Sequence, residues 1–390
     1  MSIHSKIIGF DGKRAAQNRT GLGNYSRFVI SGLARYADAS SLLVYAPSPK
    51  RINCLDGVDK EKGVEMIYPD SLLSRAVKSL WRIMGVTGRL SSDGVSLFHG
   101  LSNELPLNIR QANGVRSIVT IHDLIFLRHP ECYGRIDRAI YDFKFRRACR
   151  NADRIIAVSE CTKRDVVNFY GISPDKVDVV YQGCDEQFWH EAAEADKVSA
   201  RSKYNLPEHY ILYVGSIERR KNLMLLAKAM LRLPSDTQVV ALGKRTPYAD
   251  EVACFCADNG LEGRFRMVSG VPFGLFPAIY QMADMMVYPS RFEGFGIPLL
   301  EAIVSGIPAI GCTGSCLEEA GGPSSLYVSP DDDAALAEAI RRVASEPGLR
   351  SRMIEEGRAY AQNFRQDRLT SELVKVYEDV LSTQLNKESK

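Results

Sequence analysis

The sequence predicts an α/β protein of two domains, each a parallel sheet covered by helices. Three observations carry that expectation. Short apolar runs alternate with helix-like segments along nearly the whole chain. The alternation breaks over residues 188–207, where a polar segment rich in alanine and glutamate reads as an interdomain linker. With 390 residues, 45% of them apolar, the chain has enough material for two cores. The first domain is expected over residues 1–187 and the second over 188–366, with a last helix and tail over 367–390.

The first domain opens on Lys6-Ile7-Ile8-Gly9-Phe10-Asp11, an apolar run of the buried parallel type, and residues 25–36 read as the helix after it. Between them lies Arg19-Thr20-Gly21-Leu22-Gly23-Asn24. Its glycines permit left-handed backbone angles and close approach of a ligand to main-chain N–H groups. A plain flexible loop is the competing reading. A dinucleotide fingerprint fits poorly, because Ser26 stands where a third glycine is wanted and the loop begins well after the strand.

Further strands are predicted over residues 41–46, 94–99, 117–121, 154–159 and 176–181. Two strand ends are polar, Phe98-His99-Gly100-Leu101-Ser102-Asn103 and Thr120-Ile121-His122-Asp123-Leu124. Open α/β sheets bind ligands beyond the carboxyl ends of their strands, so His99 and His122 point to one region. A structural role is the commoner fate of a lone histidine. His122 stands out through its place at a strand end, followed by Asp123.

Between Ser71 and Leu90, the residues Leu72, Leu73, Ala76, Val77, Leu80, Trp81 and Met84 recur at helical spacing. Arg75, Lys78 and Arg82 take other positions, with no acidic residue in the stretch. This is a basic amphipathic helix, suited either to packing on the domain surface or to an anionic membrane surface. A second basic run, residues 135–150, has acidic residues interspersed and reads as a solvated helical face.

In the second domain, residues 210–215 and 238–243 read as strands with a helix over 222–233 between them. More strands are predicted over 264–269, 285–288, 308–311 and 325–328. At Ser216-Ile217-Glu218-Arg219-Arg220-Lys221-Asn222 three consecutive cations precede a helix, so charge and helix dipole together favour a phosphate. A solvated basic turn is the alternative. The densest polar pattern is Tyr288-Pro289-Ser290-Arg291-Phe292-Glu293-Gly294-Phe295-Gly296-Ile297-Pro298-Leu299-Leu300-Glu301. One carboxylate stands before a glycine turn and a second within the first turns of a helix. Free N–H groups at that helix start suit an anionic or hydroxyl-rich ligand. Asp331-Asp332-Asp333 has the spacing of a metal-bound diphosphate site, but its place after Pro330 and before Ala334-Ala335-Leu336 favours a helix cap, and no metal is expected. Residues 368–385 form the final helix.

The formal charge is +3. Residues 1–187 carry 27 basic against 20 acidic side chains, so the excess lies in the first half. That argues against general nucleic-acid binding and for an anionic ligand or surface met by the first domain. Nine cysteines without paired spacing suit reduced thiols in a cytosolic protein. No signal-peptide pattern opens the chain and no apolar run reaches membrane-spanning length, so a soluble or peripherally attached protein is expected.

Taken together, these residues resemble the retaining GT-B glycosyltransferases of the large family numbered 4. Glu293 and Glu301 match the family's E-x7-E pair within Ser290-x-x-Glu-Gly-Phe-Gly-Ile-Pro-Leu-Leu-Glu-Ala. Gly306-Ile307-Pro308, Glu319 followed by Gly322, and Pro330-Asp331-Asp332 follow in the family's order. Upstream, Thr20-Gly21-Leu22-Gly23 resembles its diphosphate-facing loop, and Val214-Gly215 through Arg220-Lys221-Asn222 its phosphate-binding pair. Two positions depart from the pattern: Ser216 stands where many relatives have arginine, and Glu318 where proline is common.

The resemblance implies two Rossmann-like domains facing a cleft, with the C-terminal helix crossing back to the N-terminal domain. It implies that Glu301 binds the nucleotide ribose, that Glu293 contacts the donor sugar, and that Gly294, Phe295, Gly296 and Ile297 hold sugar and phosphate through the main chain. Arg220 and Lys221 would neutralise the diphosphate without a metal or cofactor. His122 would meet the donor sugar or phosphate. Gly21, Gly23, Ser216 and Gly243 fall on the donor side, and Asn24, His99, Asn103 and Glu104 on the acceptor side. The run Thr120-Ile121-His122-Asp123-Leu124 with His129-Pro130-Glu131 resembles bacterial mannosyltransferases of surface polysaccharide synthesis. That favours GDP-mannose as donor, with a UDP-sugar as runner-up, and a glycan or lipid-linked acceptor at the inner face of the cell membrane. A nucleotide-sugar-binding protein without transferase activity is the alternative class; an oxidoreductase is disfavoured by the missing glycine fingerprint.

Overall fold

Every apolar run singled out above becomes a strand. The computed structural model describes residues 3–37, 41–48, 54, 55, 57–70, 77 and 80–382. Two compact units divide the chain: Met1–Gly183 together with Phe364–Lys390, and Cys184–Asn363.

The first unit holds a seven-stranded sheet of β1 (Ile7–Asp11), β2 (Ser41–Tyr45), β3 (Val64–Ile67), β4 (Leu97–Gly100), β5 (Arg116–Ile121), β6 (Arg154–Ala157) and β7 (Val177–Val179). Their order is β3-β2-β1-β4-β5-β6-β7, and every pairing is parallel, with Ile8 opposite both Leu42 and Leu97. Strands covered on both faces need apolar side chains throughout, which is why these runs are continuous rather than alternating. The strand not foreseen is β3. It lies at the sheet edge, and its Val64-Glu65-Met66-Ile67 follows a charged turn that hides it in the sequence.

The second unit repeats the plan with β8 (Ile211–Val214), β9 (Val239–Leu242), β10 (Phe265–Val268), β11 (Met285–Tyr288), β12 (Ala309–Cys312) and β13 (Leu326–Val328), again all parallel, in the order β10-β9-β8-β11-β12-β13. Strand order reverses between β1 and β4 in one sheet and between β8 and β11 in the other. Chain leaving the carboxyl ends of those strands therefore borders each sheet's switch-point crevice.

The helices used below are α1 (Lys13–Gln17), α2 (Gly21–Tyr36), α3 (Arg135–Asn151), α4 (Leu223–Ala229), α5 (Ile297–Ser305), α6 (Asp333–Ser345) and α7 (Gln366–Ser382). The last of these packs in the first unit, burying Leu369, Leu373, Val376, Tyr377, Val380 and Leu381. Gln366 Nε2 donates to Phe28 O at 2.8 Å and Ser31 Oγ at 2.9 Å on α2. The C-terminal helix thus returns to the N-terminal unit.

Three expectations are corrected. The glycine loop is not a left-handed loop: α2 begins at Gly21, and neither Gly21 nor Gly23 has a positive φ. Gly23 is needed for close approach instead, since a Cβ there would lie 1.9 Å from Asn18 O. The basic helix between Ser71 and Leu90 lies partly outside the described residues, with Arg75 and Lys78 among those not described. In the described part Trp81 is buried as expected, but Leu80, Met84 and Arg82 depart from the pattern. A wide i→i+5 helical turn, Trp81–Gly85, leaves Leu80 and Met84 exposed and sends Arg82 inward, where it pairs with Asp11 at 2.9 Å and Glu104 at 2.8 Å. Two carboxylates out of water require that counter-charge. Finally, α3 is not simply a solvated face, because Ile136, Ile140 and Phe143 stand exposed on it. Asp332 does cap α6, accepting from Ala335 N at 2.8 Å, while Asp331 pairs with Arg291 and Asp333 with Arg232.

Candidate active site

In the second unit β11 ends at Tyr288 and the chain turns through Ser290–Gly296 into α5. The turn is pinned from behind. Arg291 N donates to Arg220 O at 2.9 Å, the Arg220 guanidinium to Phe292 O, and the Cys316 thiol to Glu293 O at 3.0 Å and Phe295 O at 2.9 Å. Gly296 has φ +115°, and Ile297 and Pro298 open the helix, so the positive end of α5 follows at once.

Glu293 is the centre of this turn. Its Oε1 accepts from Tyr288 Oη at 2.8 Å and Ser290 Oγ at 2.8 Å, and faces Arg220 Nη1 at 2.9 Å and Lys221 Nζ at 3.4 Å. Lys221 Nζ also donates to Tyr288 Oη at 2.8 Å. The other oxygen, Oε2, has no partner among the described residues. Burial alone would raise this carboxyl, but Lys221, Arg220 and the hydroxyls of Tyr288 and Ser290 hold it down at about 2. It is ionised at every ordinary pH.

Glu301 has the opposite character. It is buried on α5, where desolvation raises it to about 8 against the hydrogen bond that Tyr280 Oη donates to Oε2 at 2.6 Å, with Asp185 adding to the rise. Two acidic side chains eight residues apart are thus set in different protonation states by their surroundings.

The triple-cation turn sorts itself. Arg219 swings out to Glu251 at 2.7 Å and lies over the Tyr248 ring, leaving Arg220 and Lys221 facing the carboxylate. Ser216 Oγ donates to Glu218 Oε1 at 3.1 Å, which Arg220 also meets at 3.1 Å. Gly243 sits against Gly215 O, where a Cβ would approach to 1.8 Å.

In the first unit His122 lies beyond β5. Its Nε2 meets Leu101 O at 2.9 Å, its backbone N donates to Asn103 Oδ1 at 2.7 Å, and the Tyr25 ring stands edge-on at 4.6 Å between centroids. Burial, with Arg14 nearby, lowers the imidazole to about 4. A neutral ring whose Nε2–H donates to a carbonyl keeps Nδ1 as an acceptor, and Nδ1 has no partner among the described residues. Gly21 is open to space, and Asn24 accepts from Arg27 at 2.5 Å beside it.

Of the acceptor-side expectations, those at His99 and Asn103 need correction. His99 is wholly buried, with Nδ1 on Tyr377 Oη at 2.6 Å and Nε2 on Thr120 Oγ1 at 2.7 Å; burial lowers it to about 3. Both ring nitrogens are used, so it is a core group tying α7 to the sheet and does not meet an acceptor. Asn103, at φ +65°, is buried and places the backbone of His122. Glu104 is bound by Arg82 and Lys144, which hold its carboxyl below the usual range. Sequence reasoning missed Tyr280, Tyr288, Ser290 and the Asp11–Arg82 pair. Tyr288 and Ser290 stand inside the motif and were legible as its hydroxyls; nothing in the sequence links Tyr280 or Arg82 to their partners.

Two doubly wound parallel sheets, the second with an anchored carboxylate and two cations at its switch point, define a GT-B protein. Residues 29–188 match the family described as Glycosyltransferase Family 4, and residues 195–360 match Glycosyl transferases group 1. The chain belongs to these group 1, family 4 glycosyltransferases and is an enzyme. It is 27% identical over 287 residues to the O-antigen chain mannosyltransferase B of Escherichia coli, covering 72% of this chain and 74% of that one. It is 26% identical to the O-antigen chain mannosyltransferase RfbU of Salmonella typhimurium, over 60% of this chain and 62% of the relative. Among solved structures, HepE of Anabaena in complex with UDP aligns with a TM-score of 0.75 at 16% identity, over 96% of this chain and all of that one. Sucrose-phosphate synthase of Thermosynechococcus elongatus aligns with a TM-score of 0.76 at 19% identity, over 97% and 100%.

Proposed function

We propose that the enzyme transfers mannose from GDP-mannose, with retention, to a glycan or lipid-linked acceptor in surface polysaccharide synthesis. The observation that carries the reading is the Glu293 carboxylate, fixed through one oxygen and open at the other, beside two cations. An ionised carboxylate accepts hydrogen bonds only, so Oε2 suits sugar hydroxyls and Arg220 and Lys221 suit the diphosphate. Glu301, with Oε2 held by Tyr280, keeps Oε1 for the ribose. The main chain of Gly294–Ile297 and the start of α5 hold the phosphates, with Ser216 and Gly243 on the same side. Within the first unit, Gly21 and Gly23 are donor contacts in this reading, and Asn24 is an acceptor contact.

Glu293, held at about 2, is too weak a base to take the acceptor proton, and its cations keep it so. His122 accepts a sugar hydroxyl through Nδ1. The acceptor hydroxyl attacks from the face the diphosphate leaves, the departing phosphate oxygen takes its proton, and Arg220 and Lys221 stabilise the leaving charge in place of a metal ion. Mannose as the sugar draws support from the O-antigen mannosyltransferase relatives. A UDP-sugar donor is the second reading, favoured by the UDP-bound HepE. No helix among the described residues is long and apolar enough to cross a membrane, and work at the cytoplasmic membrane face is part of the proposal. Nucleotide release and thermal shift across a panel of GDP- and UDP-sugars test it: GDP-mannose should give the largest shift and turnover, and a UDP-sugar doing so would replace it. Activity that EDTA abolished and a divalent cation restored would overturn the metal-free chemistry.

A further inference from the structure

Helix α3 carries two apolar stripes, of which the fold uses one. Phe145, Ala148 and Cys149 enter the core of the first unit, with Tyr141 packed against them. Ile136, Ala139, Ile140 and Phe143 recur at helical spacing on another face, with Ile136 77%, Ile140 45% and Phe143 58% exposed. They form one wall of a groove of about 520 Å³, whose other wall is Ile83, Leu105 and Leu107. A monomer gains nothing in stability from leaving such a stripe in water, and exposed apolar surface of this kind marks a binding site.

Charge says what the occupant carries. Arg135 and Lys144 lie on the groove, about 13 Å apart along the helix at 1.5 Å per residue. Arg135 has no ion pair among the described residues, and Glu104 is bound by both Lys144 and Arg82, so the rim is net cationic. The space between the two walls is also of the size that takes a single small-molecule chain. Its Lys144 end adjoins Glu104, next to Asn103, which holds the backbone of His122.

We propose that this groove binds the single apolar chain of an anionic amphiphile, the lipid part of the acceptor, with its phosphate at the cationic rim. The proposal rests on the transferase reading for its biological ligand, but binding of the amphiphile can be measured alone. The probe is dodecyl phosphate, kept below its micelle-forming concentration and titrated calorimetrically into the full-length protein, with inorganic phosphate and anionic phospholipid vesicles as parallel arms. Saturable binding of dodecyl phosphate is expected, with none of inorganic phosphate. The double substitution Ile136→Ser, Phe143→Ser should weaken it at least about tenfold through lost apolar contact, and Arg135→Ser should weaken it by a smaller factor. These side chains are exposed, so melting temperatures should not fall, and nucleotide-sugar affinity should be unchanged. Equal binding by the double variant, no binding by the wild type, a preference for vesicles, or a dimer that the double substitution dissociates would each overturn the groove assignment. A wild type that binds nucleotide sugars but not dodecyl phosphate sinks the groove alone; one that binds no nucleotide sugar sinks the transferase reading whatever the amphiphile does.

Discussion

The strand ends of the two sheets carry comparable polar residues and spend them differently. Beyond β4 and β5, His99 has both nitrogens occupied, Asn103 holds a backbone amide, and Glu104 is bound by two cations. Beyond β8 and β11, Glu293 and Glu301 are each anchored through one oxygen, and the other has no partner among the described residues. Polarity at a strand end therefore does not define a site; incomplete satisfaction does. His122 is the first unit's exception, because one ring nitrogen is used and one is not.

The widest separation between the two ends should come from Glu293→Ala. Turnover should fall by about 10²–10³-fold, the scale of removing a preorganised polar group, with nucleotide affinity affected far less. Glu301→Ala should do the reverse, weakening nucleotide binding by roughly tenfold or more as charge-assisted hydrogen bonds are lost; equal affinity in calorimetry would remove the ribose assignment. His99→Leu should cost about 2–3 kcal/mol of stability by stranding the Tyr377 and Thr120 hydroxyls, read by denaturant melts, while nucleotide binding stays intact. His122→Ala should depress transfer by roughly tenfold, and unchanged kinetics would return it to the class of His99. The last effect concerns pH. Glu301 holds its proton to about 8 in the fold but releases it near 4.5 when unfolded, so ligand-free stability should decline as pH rises across that window and level off above it. Glu301→Gln should flatten the decline. Ribose hydroxyls favour the ionised form, so donor binding near pH 7 should release a proton, visible by calorimetry in buffers of different ionisation enthalpy.

Buried parallel strands announce themselves as unbroken apolar runs, and so nearly all of both sheets was legible; the edge strand β3, with Glu65 outward, was not. The Glu293–Glu301 motif was legible because local spacing sets it on one strand–turn–helix unit. Arg82 was misread because a single wide turn changes which residues face inward, and periodicity assumes that no such turn occurs. Tyr377, one of the two partners of His99, lies 278 residues away on α7, a distance at which pattern is silent.

The single-atom anchoring of Glu293 has a stereochemical consequence. With four groups converging on Oε1, the carboxylate is pivoted at that atom, and Oε2 can point only along one short arc. Sugars that differ solely in whether a hydroxyl is axial or equatorial present that hydroxyl in different directions. In the proposed role of Glu293 as the sugar contact, one epimer would reach that arc and the other would not, so Tyr288 and Ser290, which aim the carboxylate, would set the enzyme's tolerance for epimeric donors.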